Sequence, residues 1–333
     1  MNQILSLIQS AIVFGTVIML GALGEILTEK SGNLNLGVPG IMSLGAIGSL
    51  IAGFYYELYT PNPAPFLCMI VALFGALLLS LLGGLIYAFL TITLRANQNV
   101  CGLTLTIFGC GFANFYGGSL NKLAGGVGQI SLPITSGSFR ATLPAVQNIP
   151  VIKNLGWLVY VVIVIAVVMQ IYMSKTRRGL SLRAVGENPA TADSAGISVS
   201  GYKYRATLIG AMISGLGGLF YTMDYIKGTW ASDGSLEALG WLAVALVIFA
   251  TWKPVRAIWS SYLFGALSWL YFYFVDLCAF LGIQVNMTRA SQEIFKMLPY
   301  VVTIIVLVVF SMRKKRENQP PAALGLSYFR EDR

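Results

Sequence analysis

The stretch from Arg178 to Arg205 reads RGLSLRAVGENPATADSAGISVSGYKYR and is a water-soluble segment between two apolar runs. Asn188 is a residue type that caps helix N-termini, and Pro189 follows where a missing N–H costs nothing. Gly196 suits the left-handed conformation that ends a helix. The pattern predicts a capped helix of about seven residues, which is too short to be stable alone in water. It indicates either a docking element for another protein or an ordinary capped turn in a loop.

The composition predicts a membrane protein. Of 333 residues 56% are hydrophobic and only 11% are charged, and the apolar runs are too long for the core helices of a soluble domain. We therefore predict an all-α polytopic membrane protein with about nine transmembrane helices, eight to ten being possible. The expected spans are 4–27, 33–55, 66–94, 100–120, 155–174, 206–223, 238–252, 257–281 and 298–312.

Basic residues predict the orientation, because they remain on the cytoplasmic side of short loops. Fifteen lysines and arginines fall on one side of the predicted spans and six on the other, with Lys30 unassigned. The loop 175–205 is then cytoplasmic, the loop 121–153 external, and the N-terminus external. Residues 1–312 form the transmembrane domain, and 313–333 are predicted to be a flexible, basic cytoplasmic tail. The net charge of +9 reflects topology and attraction to anionic lipid, not nucleic-acid binding.

The segment Ser31 to Gly40, SGNLNLGVPG, breaks the apolar pattern between the first two runs. Non-helical backbone at membrane depth is tolerated only against protein or a water-filled cavity. One interpretation is that this segment borders the translocation path; the other is a tight hairpin at the cytoplasmic surface. On the first interpretation, the path residues are Asn33, Asn35, Gly37 and Gly40.

The span 100–120 combines small polar side chains with an aromatic stripe. At 100° per residue its four aromatic rings share one broad face. Such a face could stack a flat ring or cover a sugar, or it could serve helix packing alone. The polar residues concerned are Thr104 and Asn114, and the rings are those of Phe108, Phe112, Phe115 and Tyr116.

Several kinds of chemistry are excluded. Histidine is absent, the four cysteines have no paired spacing, and no phosphate-binding loop or nucleophile motif occurs. We therefore expect no catalytic residue, no metal and no cofactor in this chain. The acidic residues near the spans, Glu25, Asp224 and Asp276, have no obvious partner one helical turn away, so the case for ion coupling is weak.

Three ordered motifs resemble one family. RAVGENPATADSAGISVSGYKYRATLIGAMISGLGG, within 178–218, is similar to the cytoplasmic segment of permease subunits of bacterial ABC importers for ribose, branched-chain amino acids and nucleosides. GEILTEKSGNLNLGVPGIMSLGA at 24–46 and GWLAVALVIFATWKPVRA at 240–257 resemble two further family segments. Pro39, Ala250 and Asp193 depart from the expected residues. The motif N-L-G-V is most similar to that of the family branch associated with nucleoside-binding lipoproteins.

The resemblance implies a multi-pass subunit of the bacterial cell membrane that imports a small polar solute, most simply a purine-type nucleoside. A simple-sugar importer is the alternative substrate class, and an ion-gradient-driven secondary transporter is the alternative mechanism. The implied partners are ATPase subunits that bind ATP and Mg²⁺, a second permease chain and an external solute-binding lipoprotein. Residues expected to contact the ATPase are Gly186, Glu187, Asn188, Pro189, Asp193 and Gly196, with Glu187 and Asn188 fixing the helix start and Asp193 facing the ATPase.

Overall fold

The computed structural model describes residues 2–144, 149–280, 289–312 and 319–329. All the regular secondary structure in these ranges is helical. Two π-helical turns, Phe89–Thr93 and Tyr221–Tyr225, continue α3 and α9. The prediction of an all-α polytopic protein is confirmed. The helices are α1 Asn2–Glu29, α2 Val38–Tyr59, α3 Pro65–Ala88, α4 Gln98–Leu123, α5 Pro133–Phe139, α6 Trp157–Lys175, α7 Arg177–Glu187, α8 Pro189–Ser194, α9 Val199–Phe220, α10 Ser235–Phe249, α11 Pro254–Phe280, α12 Arg289–Lys296 and α13 Leu298–Met312.

Each of the nine predicted spans coincides with an apolar helix. Within the described ranges, seven of these helices are long and apolar enough to cross a membrane, namely α1, α2, α3, α4, α6, α9 and α11. Helices α10 and α13 have 15 residues each. At 1.5 Å per residue such a helix covers roughly 22 Å, which is less than the roughly 30 Å of hydrocarbon.

Helix α2 lies at the centre of the bundle and packs against α3, α4, α9 and α10. Residues 38–50 of this helix are buried without interruption. Glycines permit the close crossing with α9: a Cβ added to Gly218 would lie 1.8 Å from the carbonyl oxygen of Met42. The small residues of α9 therefore let its backbone lie directly against α2.

The two ends of the bundle carry different connections. At one end the loop that follows α4 meets residues 226–234, where the Leu132 N–H donates to the Gly228 carbonyl at 2.9 Å. At the other end lie α7, α8 and the turn 30–37, together with Lys30, which the sequence left unassigned. This second end carries the basic side of the predicted topology, and we call it the cytoplasmic end after that prediction.

Three features differ from the sequence expectations. Helix α7 was not predicted. Helix α9 begins at Val199 instead of residue 206, because its first turns pack against α7 and α8. The tail was expected to be flexible along its whole length. Residues 319–329 instead lie against α7, α8 and the turn 30–37, where their backbone groups find hydrogen-bond partners. Residues 313–318 and 330–333 lie outside the described part.

Candidate functional site

Helix α8 has the caps that the sequence predicts. The Asn188 side chain accepts a hydrogen bond from the Thr191 N–H at 3.0 Å, and Pro189 occupies the first helical position. Gly196 has φ +80°. Its N–H donates to the Asp193 carbonyl, and the next N–H, of Ile197, donates to the Ala192 carbonyl. These two bonds form a Schellman motif, so both ends of the six-residue helix are closed locally.

Helix α8 is held to the membrane domain by its apolar side. Ala192 is buried in a small cluster with Val185 of α7 and Val199 of α9. Thr191 and Ser194 lie on the exposed side. The helix therefore presents a polar surface to the cytoplasm while a single alanine anchors it.

Three predicted coupling residues have contacts that the sequence did not indicate. Glu187 ends α7, and its carboxylate accepts a hydrogen bond from the Ala322 N–H at 3.4 Å. Asn188 alone caps α8 through its side chain. Asp193 accepts a hydrogen bond from the Tyr328 hydroxyl at 2.9 Å, so part of its charge faces the tail. Gly186 is buried against the turn 30–37. A Cβ added there would lie 2.3 Å from the Lys30 carbonyl oxygen.

The turn 30–37 is a buried segment whose backbone polar groups are satisfied by side chains. The Asn35 N–H donates to Glu25 Oε1 at 2.9 Å, and the Leu34 N–H donates to Gln98 Oε1 at 2.7 Å. The Tyr87 hydroxyl donates to the Leu34 carbonyl. Non-helical backbone is thus tolerated at this depth because protein surrounds it.

Asn33 lies inside the same turn and is only 1% exposed. Its amide nitrogen donates weakly to Thr207 Oγ1 at 3.4 Å, whereas its buried Oδ1 has no hydrogen-bond partner among the described groups. Asn35 Oδ1 accepts a hydrogen bond from the Gly37 N–H at 2.9 Å. A buried amide oxygen is costly to leave without a hydrogen-bond partner.

Gly37 and Gly40 pack against α4. A Cβ on Gly40 would lie 2.3 Å from the Leu105 carbonyl oxygen, and one on Gly109 would lie 2.4 Å from the Gly40 carbonyl oxygen. The Thr106 hydroxyl donates to the Leu36 carbonyl at 2.9 Å. One side of α4 is therefore fixed to the start of α2.

The opposite side of α4 is exposed. Phe108 is 52% exposed, and its ring centroid lies 6.0 Å from that of Phe112, which in turn lies 4.7 Å from that of Tyr116. Thr104 and Asn114 of α4 are exposed as well, with Asn114 about 120° around the helix from Phe108. We call the exposed surface of this helix the α4 face, and its polar and aromatic residues are Thr104, Phe108, Phe112, Asn114, Phe115 and Tyr116. The eight predicted path residues therefore do not line one cavity: three are exposed on this face, Phe112 is half-buried on it, and the other four lie behind α4.

The sequence analysis missed one carboxyl pair. Glu29 follows Glu25 by one helical turn, so the two buried carboxyl groups lie on the same face of α1. The Trp252 indole N–H donates to Glu29 Oε2. The expectation that Glu25 has no partner one turn away was therefore wrong, and the four-residue spacing was the signal that could have revealed it. The side chain of Asp276 lies outside the described part.

Two cavities were not foreseen. An outward cavity of about 410 Å³ is lined by aromatic side chains, among them Tyr221 and Tyr225, whose rings stack 5.5 Å apart. Asp233 also lines it, and hydrogen bonds from Ser235 hold the pKa of its carboxyl below the usual value.

The second cavity, of about 530 Å³, opens at the cytoplasmic end beside α7. Its charged side chains are Lys30, Arg183, Lys253 and Glu187. Burial lowers the pKa of Lys30 below its usual value, Glu187 opposes that shift, and the two neighbouring cations reinforce it.

Comparison with known proteins gives the family. Residues 7–307 match the family of branched-chain amino acid transport system permease components. A putative glucose ABC transporter permease of Haloferax volcanii is 32% identical over 98% of each chain. A nucleoside ABC transporter permease of Lactococcus lactis is 31% identical over 93% of each chain, and a guanosine permease of Bacillus subtilis is 28% identical over 99% of each. No solved structure matches the chain significantly.

The family match extends over almost the whole described bundle, including α4, α8 and the turn 30–37. It identifies a multi-pass cell-membrane subunit that transports solute and leaves ATP hydrolysis to a separate subunit. The chain belongs to the branched-chain amino acid transport system permease family and is the membrane-spanning subunit of an ABC transporter.

Proposed function

We propose that this permease carries purine-type nucleosides into the cell along the α4 face, where two permease chains meet. The observation that carries the proposal is the chemistry of that face. A helix that faces only lipid exposes apolar side chains, as α3 does, whereas the α4 face also exposes Thr104 and Asn114. The exposed large side chains of α3 are Phe66, Leu67, Ile70, Phe74, Leu78, Leu82, Leu85 and Ile86.

The α4 face has the groups that a nucleoside requires. A nucleobase stacked on an aromatic ring gains on the order of 1–3 kcal/mol, which is weak enough for release. Asn114 offers an amide that can donate to and accept from the edge of a base. The Thr104 hydroxyl donates to the Val100 carbonyl at 2.8 Å, so its oxygen remains an acceptor. Phe108 and Phe112 would supply the stacking surface.

The named relatives support this solute class and one alternative. Two of them are named as permeases for nucleosides and for guanosine. A third relative, 32% identical, is named as a putative glucose permease, so a simple sugar is the second candidate. Aromatic rings also cover the apolar face of a sugar. Only a transport assay distinguishes these two candidates.

Helix α8 would be the contact with the ATPase subunits. Helix α8 is short, is capped locally at both ends and exposes a polar side. These features suit a rigid element that a partner protein binds. When ATP closes the ATPase pair, the movement would pass through α8 to α9, because Ala192 packs against Val199. A second permease chain and an external solute-binding lipoprotein would complete the importer.

The substrate assignment is tested by uptake of labelled guanosine, ribose, glucose and leucine into cells that depend on this transporter. We expect guanosine to be carried. Phe108→Ala should reduce its uptake several-fold, while Phe74→Ala, at an exposed position on α3, should leave uptake unchanged. Basal ATP hydrolysis should be the same for both variants.

Two results would contradict the proposal. Uptake of glucose or ribose but not of guanosine would show that the substrate is a simple sugar. Loss of uptake in Tyr225→Ala with normal uptake in Phe108→Ala would move the route from the α4 face to the outward cavity within one chain.

A further inference from the structure

Residues 319–329, which we call the strap, cross the cytoplasmic end of the bundle in a non-helical conformation. Ala323 is 5% exposed, so the middle of the strap is buried against the helical domain. Gly325 has φ +79°, which turns the chain between two contact points. The strap is therefore a docked segment with a defined path.

The first contact point joins three backbones. The Ala323 N–H donates to the Gly186 carbonyl at the end of α7 at 3.0 Å. The Gly325 N–H donates to the Gly32 carbonyl in the turn 30–37 at 3.2 Å. Gly186 itself lies against the Lys30 carbonyl. The strap thus connects the segment before α8 to the turn that leads into α2.

The second contact point is on α8 itself. The Tyr328 hydroxyl donates to Asp193 Oδ2 at 2.9 Å. The Tyr328 ring packs on the apolar cluster that includes Ala192, the residue that anchors α8. Tyr328 therefore contacts α8 in two ways, through the Asp193 carboxylate and through the apolar cluster around Ala192.

The third contact point reaches α9 and the turn between α3 and α4. The buried Lys203 ammonium of α9 donates to the Leu326 carbonyl at 3.4 Å. The Ser327 hydroxyl lies 3.5 Å from the Arg95 carbonyl. The Arg95 guanidinium lies 4.6 Å from the centroid of the Phe329 ring, within the range of a cation–π contact.

We propose that the strap is a positioning element of the coupling apparatus, which fixes the pose of α8 and links it to the turns that begin α2 and α4. This inference rests on the proposed docking of α8 to the ATPase. Tyr328 is the central positioning residue because it holds α8 through Asp193 and Ala192. A movement of α8 would then also reach the turn 30–37 through the hydrogen bond from the Gly325 N–H to the Gly32 carbonyl.

The competing explanation is that the strap only covers apolar surface. The two explanations differ over the Tyr328 hydroxyl. A covering role needs the ring but not the hydroxyl, whereas a positioning role needs the bond to Asp193. Tyr328→Phe removes that bond alone and keeps the ring.

The experiment uses the full importer reconstituted in proteoliposomes with its ATPase and receptor, and it measures solute molecules transported per ATP hydrolysed. We expect Tyr328→Phe to lower this ratio by about three- to tenfold, with the ATPase still co-purifying. Tyr59→Phe, at an exposed position far from the strap, is the matched control. In the Tyr328→Phe background, Asp193→Ala should lower the ratio by less than it does in the wild-type chain.

Removal of residues 319–333 should lower the ratio further, and Tyr328→Phe remains informative if that shortened chain fails to insert. An unchanged ratio in Tyr328→Phe, with wild-type coupling intact, overturns the strap proposal and leaves the importer function standing. Absence of the ATPase from the purified wild-type complex overturns the docking of α8 and the strap proposal together.

Discussion

Glu25 accepts a hydrogen bond from the backbone N–H of Asn35 at 2.9 Å, across ten residues of chain. Both residues are buried, and the bond closes the turn between α1 and α2. A buried carboxylate near a membrane span often marks an ion path. Here the carboxylate has a structural partner, the backbone of an interrupted helix, which is a sufficient reason for its presence.

This relationship gives the first prediction. Glu25→Leu leaves the Asn35 N–H without an acceptor, which costs roughly 1–3 kcal/mol, whereas Glu25→Gln keeps an oxygen that can accept. We expect the Leu variant to have a clearly lower unfolding temperature in detergent than the Gln variant. If both lose stability equally, the hydrogen bond to Asn35 is not the contribution of Glu25 to stability, and the prediction fails.

The second prediction concerns the crossing of α2 and α9. Gly218→Ala places a methyl group 1.8 Å from the Met42 carbonyl oxygen, so the two helices must separate. Overpacking of this kind costs roughly 1–3 kcal/mol or more. The control is Gly111→Ala, where an added Cβ meets no atom within 4 Å. The unfolding temperature and the yield of folded protein should fall for Gly218→Ala only. Equal values for the two variants would refute the tight crossing.

The third prediction tests α8. Gly196 has φ +80° and open space around its Cα, so Gly196→Val strains the backbone without a steric clash. The penalty of about 1–2 kcal/mol or more should loosen the Schellman cap. We expect normal membrane insertion with loss of ATPase co-purification or of receptor-stimulated ATP hydrolysis. Gly137→Val, at an open external position with ordinary φ, should behave like the wild type.

The fourth prediction tests the topology. Ser131 and Ser200 are exposed at opposite ends of the bundle, so both positions suit chemical labelling. In a chain lacking its four cysteines, a cysteine at 131 should react with an impermeant reagent from outside. A cysteine at 200 should react only after the membrane is opened. Labelling of both from the same side would refute the orientation.

Much of this fold could be predicted because single strong signals specify it. Long apolar runs predict the helices, and the Asn188, Pro189 and Gly196 pattern predicts both ends of α8. What the sequence could not give is set by contacts between distant segments. The side chains that satisfy the turn 30–37, such as Gln98, lie tens of residues away.

The tail illustrates the same limit. A basic, proline-containing tail is typical of flexible chain, although the strap within it also holds Leu324, Leu326, Tyr328 and Phe329. It docks because carbonyl groups at Gly186 and Gly32 accept its N–H groups, and no local pattern reports such partners. The shared face of the four aromatic rings of α4 was predicted correctly. Its exposure could not be predicted, because it depends on the packing of the α4 glycines against α2.

The burial of α2 has a consequence for how the permease responds to its membrane. A change in bilayer thickness acts on helices that touch lipid, which can tilt to match it. Helices α3 and α6 expose long apolar rows and will follow such a change. Helix α2, enclosed on all sides along residues 38–50, has almost no lipid contact through which to feel it. We therefore expect bilayer thickness to act on the centre of this transporter only through the helices that pack against α2, chiefly α3.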